Sequence, residues 1–518
     1  MTTSIRGPGL CALLLLSLVP MQGCTDLTET PSSAITPENF YRNEAEVLGG
    51  LAGVYAQLRG TLDDYWNATE VSSDEIVVPT RGSDWFDNGQ WLELKRQTWT
   101  ASSPSVGFMN GAWNVSFTGI ARANVLLEAL GRVTVPNQAA IVAELRTLRG
   151  FYYYLLMDMF GGVPIVTDIE IKPRPRNTRP EVFQFIESEL LEARTDLPDN
   201  WPADNNGRLT KGAADAILAS MYLNAGVWMK ETGVSASGYN TCLGVQVSGG
   251  VDACQAAIDA ADRIINSGQY SLATNWASNF TADNQTSPEN IMVVKFLPEP
   301  GLGLNFIMRA LHYNQLSNAT PWNGFATLAQ TYNAFDANDQ RRQMWLAGPQ
   351  TNVETGVPVN DRSGNPLVFT ATINDVTAAT EGEGARLYKY PADPTRPEGQ
   401  LNGNDFAYFR LAEIYLIKAE ALNEQTAGSA AALLLVNQLR ARVFNPPEPR
   451  PTIDRAAILQ ERLFELGGEA KRRQDLIRHG RFIDAWEFKA AGTPNLILMP
   501  IPQSQLDANP LLKQNLGY

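Results

Sequence analysis

Between residues 141 and 159 an apolar side chain stands at every third or fourth position. An α-helix of 3.6 residues per turn brings these positions onto one face, whereas a β-strand would distribute them over two. Gly161 and Pro164 follow this stretch and predict the end of the helix. A second stripe lies between residues 113 and 127, so residues 107–160 are predicted to form a helical hairpin. The first stripe consists of Ile141, Leu145, Leu148, Tyr152, Leu155 and Met159.

Paired helical stretches of this kind recur along the chain. A second hairpin is predicted over residues 181–228 and a third from residues 252–266 with 405–425. A fourth, over residues 429–478, combines residues 429–443 with 454–478. Small residues at contact spacing let neighbouring helices approach closely, as tetratricopeptide-like hairpins do. The chain is therefore predicted to be mainly α, with a tetratricopeptide-like scaffold of helical hairpins. The small residues are Ala213, Ala214, Ala257, Ala261, Ala419 and Ala421.

Two regions depart from this helical pattern. Residues 270–404 are rich in Asn, Gly, Pro and Thr and contain the short β-prone runs IMVVKF and PLVFTATI. Residues 60–106 have a similar character. We interpret residues 270–404 as a long irregular insertion with short strands, and both regions as ligand-facing, because loops on a rigid scaffold commonly carry binding residues.

The N-terminus has the pattern of an export signal. A short segment with the cation Arg6 leads into the apolar run Leu10–Val19, and Cys24 follows shortly after. This pattern predicts a signal peptide over residues 1–23 and a mature chain over residues 24–518. Gly23 before Cys24 also fits a lipoprotein cleavage box, although Met21 stands where Leu is usual, so Cys24 is predicted to carry a lipid anchor. Ordinary secretion with cleavage nearby is the alternative.

Processing would leave two of the four cysteines available for a disulfide. Cys11 leaves with the signal peptide and Cys24 carries the lipid, while Cys242 and Cys254 flank a short Gly/Ser/Val loop. Extracytoplasmic compartments permit disulfides, so we predict that these two are bridged. Two free thiols are the alternative.

Charge and composition exclude several functional classes. The formal net charge is −14, and removal of Arg6 with the signal peptide would make it −15, which argues against nucleic-acid binding through a basic face. His312 and His479 are the only histidines and have no metal-ligand pattern around them, so no metal site is predicted. The sequence has no phosphate-binding loop, nucleophile elbow or dinucleotide fingerprint, so no cofactor and no catalytic residue are assigned. The 55 acidic residues could supply a glycosidase pair, but no pattern selects one.

Acids and bases alternate at helical spacing near the C-terminus. Residues three or four apart on a helix can pair, so we interpret this segment as a structural ion-pair network. An anion-binding site is the alternative. The residues are Glu461, Arg462, Glu465, Glu469, Arg472, Arg473, Asp475 and Arg478.

Aromatic residues in the polar stretches suggest a carbohydrate site. No helical or strand period buries Trp85 and Trp91, and the insertion offers Tyr313 and Trp322. Exposed rings stack on the C–H faces of sugars while polar neighbours bond the hydroxyl groups. Packing of a loop onto the scaffold is the alternative for each ring, and Trp113 is assigned to the core. The predicted ligand-binding residues are Arg81, Asp84, Trp85, Asn88, Trp91, Tyr313, Trp322 and Asn323.

Several segments, in order along nearly the whole chain, resemble the SusD/RagB-type outer-membrane nutrient-binding lipoproteins. After the lipoprotein cysteine come PSSAITPENFYRNEAEVLGGLAGVYAQL, LRGFYYYLLMDMFGGVPIV and GRLTKGAADAILASMYLNAG. They are followed by FRLAEIYLIKAEALNE, ERLFELGGEAKRRQDLIRHGRF and the terminus LMPIPQSQLDANPLLKQNLGY. These are scaffold motifs, and they identify the family rather than its ligand.

The resemblance implies a surface-exposed, lipid-anchored outer-membrane protein without enzymatic activity. Such a protein covers a TonB-dependent, SusC-like transporter and delivers a nutrient polymer to it. The ligand implied is most often an oligosaccharide or polysaccharide, and sometimes a peptide. A peptide-binding member of the same family and a secreted glycoside hydrolase on a helical scaffold therefore remain alternative hypotheses.

Overall fold

A computed structural model of the protein describes residues 40–393 and 400–518. The predicted signal peptide and the predicted lipidation site at Cys24 lie outside the described residues. Within the described ranges, helices form most of the regular structure and strands are short. They are α1 Glu44–Gly60, α2 Tyr65–Val71, α3 Gln90–Arg96, α4 Val106–Leu130, α5 Gln138–Phe160, α6 Arg179–Ala193, α7 Lys211–Leu223, α8 Ala225–Trp228, α9 Ala253–Ile265, α10 Phe306–Ala310, α11 Ala329–Ala334, α12 Leu411–Gln425, α13 Ala430–Ala441, α14 Arg455–Leu466, α15 Arg472–Arg478 and α16 Gln503–Ala508.

The long helices pack against one another in neighbouring pairs. α4 packs on α5, α5 on α6, α7 on α9 and α12 on both α9 and α13. The stripe on α5 is buried along its whole length, and Trp113 is buried on α4, as predicted. The alanines at contact spacing are all fully buried and allow close approach of the helices. Ala419 lies in the cluster that α12 forms with α13 and α14, and the other five lie in the main core. The mainly α, hairpin-based fold class is therefore confirmed.

Two predicted helices are corrected by the structure. The stretch 405–425 begins with a strand, since residues 406–410 pair with residues 290–294 and the helix starts only at Leu411. The stretch 454–478 is broken between α14 and α15, where Gly468 and Ala470 have φ values of 76° and 60°. A left-handed backbone cannot continue a right-handed helix, so α14 ends before this turn.

The irregular regions contain short strands that join distant parts of the chain. They are β1 Ile76–Val77, β2 Gln246–Val247, β3 Val251–Asp252, β4 Asn290–Val294, β5 Ala326–Thr327, β6 Trp345–Leu346, β7 Gly348–Pro349, β8 Val368–Phe369, β9 Ala385–Leu387 and β10 Phe406–Arg410. Four of them form an antiparallel sheet in the order β1-β5-β9-β6. Pairing of Ile76 with Thr327 and of Val77 with Ala326 brings the region 60–106 against the insertion. Residues 60–106 are also more regular than predicted, because α2 and α3 lie within them.

The cysteine loop is a closed hairpin. A disulfide joins Cys242 and Cys254, whose Cα atoms are 5.0 Å apart, in the predicted pairing. The bridge encloses the paired strands β2 and β3, and Ser248 N donates to Glu187 Oε1 on α6 over 3.0 Å. The loop is therefore fixed both covalently and to the scaffold.

The C-terminal charges form a buried ion-pair network, as predicted. Glu465 on α14 lies 2.8 Å from Arg341 and 2.7 Å from Arg410, and all three side chains are fully buried. Arg410, which directly precedes α12, also contacts Glu289 and Glu469 at 2.7 Å and 2.8 Å. The network thus ties α12 and α14 to the insertion.

Across the described ranges, no helix combines the length and apolar character needed to cross a bilayer.

Candidate functional site

The two aromatic segments predicted to bind ligand lie side by side. The Nε1 of Trp85 donates to the carbonyl oxygen of Trp322 over 2.5 Å, and the two ring centroids are 6.4 Å apart. The hydroxyl of Tyr313 donates to Asp84 Oδ2, also over 2.5 Å. The pairing of β1 with β5 explains this proximity, because residues 81–85 follow β1 and residues 322–325 precede β5.

Exposed rings form a surface on these joined segments. Phe86 is 57% exposed and Trp322 is 36% exposed, while Trp85 and Tyr313 are half-buried. Folded proteins rarely leave several large rings close together in solvent without a binding role. We call the set of Trp85, Phe86, Tyr313 and Trp322 the aromatic platform.

Hydrogen bonds from buried polar side chains fix the platform to the neighbouring strand. Arg81 donates to the carbonyl oxygens of Asn323 and Glu383, in each case over 2.7 Å. Burial lowers the pKa of Arg81 to about 10, so it remains charged at neutral pH. Asn323 Oδ1 accepts from the guanidinium of Arg386 at 2.8 Å and 3.0 Å. These bonds fix both segments to the strand β9.

The platform backbone adopts conformations that non-glycine residues rarely take. Trp85, Asp87 and Asn88 have φ values of 61°, 37° and 57°, and Asn323 has a φ of 53°. Left-handed conformations cost of order 1–3 kcal/mol each and cluster where function requires a particular side-chain direction. Gly324 is needed for another reason, since a Cβ atom there would lie 2.3 Å from the indole of Trp85. The Trp85 ring can occupy its position only beside a glycine.

A charged rim borders Tyr313. The guanidinium of Arg362 lies 4.1 Å from the Tyr313 ring centroid and 3.6 Å from Asp84 Oδ2. Its Nε also donates to Glu381, which in addition bonds His312 Nε2 at 2.9 Å. Burial favours the neutral form of Glu381, but the bonds from Arg362 and His312 outweigh it and lower its pKa to about 2.

The hydroxyl of Tyr313 also remains protonated. Burial, together with its hydrogen bond to Asp84, raises the pKa of Tyr313 to about 12. It therefore serves as a donor to Asp84, which keeps the ring in a fixed orientation at neutral pH. The rim presents Arg362 as a donor and Asp84 as an acceptor, both partly exposed.

Three of the predicted ligand-binding residues are corrected to structural roles. Trp91 belongs to α3, is only 6% exposed, and packs at 5.4 Å against the ring of Trp85. Its Nε1 donates to Asp87 over 2.7 Å. Arg81 and Asn323 are buried and bonded within the protein, so these three residues support the platform without reaching a ligand. Of the other five, Asn88 is exposed, and Asp84, Trp85, Tyr313 and Trp322 remain accessible in part.

Phe86, Arg362 and Glu381 belong to the site but were not predicted. Phe86 stands beside Trp85 in the same polar stretch, where no helical or strand period buries it either. Neither Arg362 nor Glu381 belongs to a motif or stands directly beside an aromatic residue in the sequence. Only the folded chain brings them to Tyr313.

The arrangement suits recognition of hydroxyl-bearing rings. Aromatic faces stack on apolar C–H surfaces, and the adjacent Asp, Asn and Arg side chains bond hydroxyl groups. Within residues 40–393 and 400–518, no group of three or more His, Cys, Asp or Glu side chains is placed to hold a metal ion.

Two family models match the chain and together cover most of it. The model of the SusD family matches residues 255–518, and a model described as starch-binding and associating with the outer membrane matches residues 32–223. The SusD-like protein P25 of Formosa agariphila is 25% identical over 95% of this chain and 96% of its own length. The starch-binding protein SusD of Bacteroides thetaiotaomicron is 24% identical over 88% of this chain and 85% of its own length.

Solved structures share the fold. A laminarin-binding SusD-like protein superposes with a TM-score of 0.73 and 25% identity, covering 92% of this chain and all of its own. Surface glycan-binding protein A of Bacteroides thetaiotaomicron, solved with laminarihexaose, gives a TM-score of 0.71 at 20% identity over 91% of this chain and 99% of its own. With one family model covering half of the sequence and a second covering much of the remainder, the chain belongs to the SusD family.

Proposed function

We propose that this protein binds a neutral glycan on the aromatic platform and does not transform it. The observation that carries the proposal is the contact between the segment of Trp85 and Phe86 and the segments of Tyr313 and Trp322, which leaves four rings at least partly exposed on joined segments. Each stacked ring contributes about 1 kcal/mol beyond simple burial. Two or three such contacts, set against the ordering of a flexible polymer, give modest affinity, in the micromolar range or weaker.

The charges around the platform favour an uncharged ligand. Arg362 is the cation of the rim, and both Asp84 and Glu381 pair with it. Asp87 is exposed nearby, so the surface carries more negative than positive charge. A sulfated or uronic-acid polymer would meet repulsion here, whereas a neutral glycan would not. The similarity at 25% identity to a protein described as laminarin-binding supports the same ligand class.

The same groups argue against hydrolysis. A glycosidase requires a carboxylic acid that is protonated near neutral pH, paired with a second carboxylate. Glu381 has a pKa of about 2 and is ionised. Asp84 accepts a hydrogen bond from the hydroxyl of Tyr313, and Asp87 accepts one from Nε1 of Trp91. The carboxyl groups around the platform are therefore engaged as hydrogen-bond acceptors.

The ligand-binding proposal is tested with Phe86→Ala, Trp322→Ala and the double variant. Each single change should weaken binding about five-fold and the double change roughly 25-fold, since each removes about 1 kcal/mol. Melting temperatures should stay close to that of the unchanged protein because both rings are exposed. Isothermal titration calorimetry against neutral polysaccharides, laminarin among them, an acidic polysaccharide and a peptide mixture provides the measurement.

Leu434→Ala is the matched control, because Leu434 is 61% exposed on the scaffold helix α13. It removes apolar surface away from the platform and should leave binding unchanged. Binding of undiminished affinity in the double variant would place the main ligand site elsewhere. Selective binding of peptides would favour the peptide-binding alternative, and new reducing ends would favour the hydrolase.

We further propose that Cys24 carries a lipid anchor at the outer membrane and that the protein delivers its glycan to a TonB-dependent transporter. The apolar run before Cys24 and the family model associated with the outer membrane support this proposal. Affinity purification from detergent-solubilised outer membranes should yield a chain with an acylated N-terminal cysteine and a co-purifying transporter. A Cys24→Ala variant should lose both. Its retention in the membrane would contradict the anchor.

A further inference from the structure

We infer that the chain carries a second glycan subsite, separate from the aromatic platform, in a polar cleft beside α7. The cleft lies between the connection from α6 to α7 and the segments around residues 269–270 and 284–291, and its volume is about 190 Å³. Clefts that bury drug-sized ligands measure roughly 300–1,000 Å³, so this one suits a single sugar ring. The inference rests on the proposed glycan-binding function but concerns different residues.

Two aromatic side chains line the cleft in fixed orientations. Trp201 donates its Nε1 proton to the carbonyl oxygen of Leu209 over 2.8 Å, and the guanidinium of Arg208 stacks on its ring at 3.8 Å. The hydroxyl of Tyr270 bonds Thr210 at 2.9 Å. Both rings remain partly exposed. Arg208 covers one face of Trp201, so a sugar would meet the carbon surface of Trp201 and Tyr270 that remains exposed, and this surface is already ordered.

The charged side chains of the cleft all have partners in the protein. Arg208 contacts Glu144 at 2.5 Å, and Asp199 contacts Lys211 at 3.2 Å. Asp405 pairs with Lys295. The charges are thus largely neutralised before a ligand arrives, which favours an uncharged ligand over a charged one.

Uncharged amides supply the free hydrogen-bonding capacity. The side chains of Asn200, Gln269 and Gln285 are exposed at the rim and make no side-chain hydrogen bond within the described residues. Asn290, which also lines the cleft, donates from Nδ2 to the carbonyl oxygen of Asn279 at 3.3 Å, and this fixes the orientation of its amide. Its Oδ1 is buried and has no partner in the described chain. Groups that donate and accept beside an aromatic wall match the hydroxyls of a sugar.

The test uses laminarihexaose as probe and saturation-transfer NMR titration of the full mature chain. The starting variant is Phe86→Ala/Trp322→Ala, which impairs the platform and exposes any remaining binding. We expect a weak residual interaction that falls several-fold when Trp201→Ala or Gln285→Ala is added. The side chain of Gln285 is exposed on the rim and makes no hydrogen bond within the described residues. Its replacement should not disturb the fold, so the test remains valid if Trp201→Ala disturbs packing.

Leu434→Ala, at an exposed position on α13 outside both the cleft and the platform, is the control and should leave the residual binding unchanged. If the platform variant binds nothing while the unchanged protein binds laminarihexaose, the second subsite is wrong and the proposed function stands. Residual binding that neither Trp201→Ala nor Gln285→Ala weakens also overturns the subsite. If the unchanged protein binds no member of the polysaccharide panel, the proposed function fails and this inference fails with it.

Discussion

Replacement of Arg410 by methionine should lower the free energy of unfolding by about 3–5 kcal/mol, the range expected when one partner of a buried ion pair is removed. Arg410 is fully buried and lies within 2.8 Å of carboxylate oxygens of Glu289, Glu465 and Glu469. Methionine fills similar space but removes the cation that these three carboxylates share, and leaves Arg442 beside Glu289 and Glu465, and Lys389 beside Glu469. The cost arises because the remaining cations compensate the buried negative charge only in part.

Thermal unfolding followed by circular dichroism measures this effect. Arg42→Met provides the matched control, since Arg42 pairs with Glu46 at the surface over 3.2 Å with 69% of its side chain exposed. Exposed pairs contribute about 0–1 kcal/mol, so the control should unfold close to the unchanged protein. Equal, small shifts in both variants would mean that the buried network contributes little to stability. The difference should also shrink at low pH, where the stranded carboxylates can take up protons.

Replacement of Glu70 by glutamine should stabilise the protein at neutral pH, by an amount that grows as the pH rises. Glu70 and Glu75 are buried side by side. Glu70 Oε1 accepts a hydrogen bond from the backbone N–H of Ala470 at 2.5 Å, and Glu75 Oε2 accepts one from the backbone N–H of Gly468 at 3.0 Å. Burial and the neighbouring Glu75 raise the pKa of Glu70 well above its ordinary value. The folded protein therefore holds Glu70 protonated, and a glutamine reproduces this neutral form.

The sign follows from proton linkage. Because the pKa of Glu70 is higher in the folded state, folding takes up a proton, and this contribution is fully present below the unfolded pKa of about 4.3. It is lost as the pH rises, at up to about 1.4 kcal/mol per pH unit, until the pH reaches the folded pKa. Glutamine has no proton to take up, so its advantage should be absent near pH 4 and large near pH 7.

Melting temperatures of both proteins at pH 4.5, 6 and 7.5 test the prediction. Glu46→Gln is the control, because hydrogen bonds from the backbone and side chain of Arg42 lower the pKa of this exposed carboxyl. Its replacement should have the opposite sign and a small size. A pH-independent difference between Glu70→Gln and the unchanged protein would show that Glu70 is ionised in the folded state.

The exposed aromatic residues of the candidate site could be predicted from the sequence, but the residues that support them could not. Trp85 and Trp322 stand in polar stretches without a burying period, so their exposure could be expected from composition alone. Trp91 stands in the same kind of stretch but is buried, because residues 90–96 form the short helix α3. Trp91 is one of the residues that this helix buries. A helix this short gives too few repeats for periodicity to detect it.

The helical scaffold and the pairing of Cys242 with Cys254 were determined by the sequence itself. Their signals are local: apolar spacing within a helix, and two cysteines close in the chain. The sequence indicated which charges form the ion-pair network, but the fold chose most of their partners, since Arg410 meets Glu289, Glu465 and Glu469 from distant parts of the chain. What only the tertiary structure decided is the joining of segments more than 200 residues apart. Two-residue strands such as β1 and β5 have no pattern of their own, yet they place Trp85 against Trp322 and Arg81 against Asn323. Such contacts depend on long-range strand pairing and burial, which local side-chain spacing does not encode.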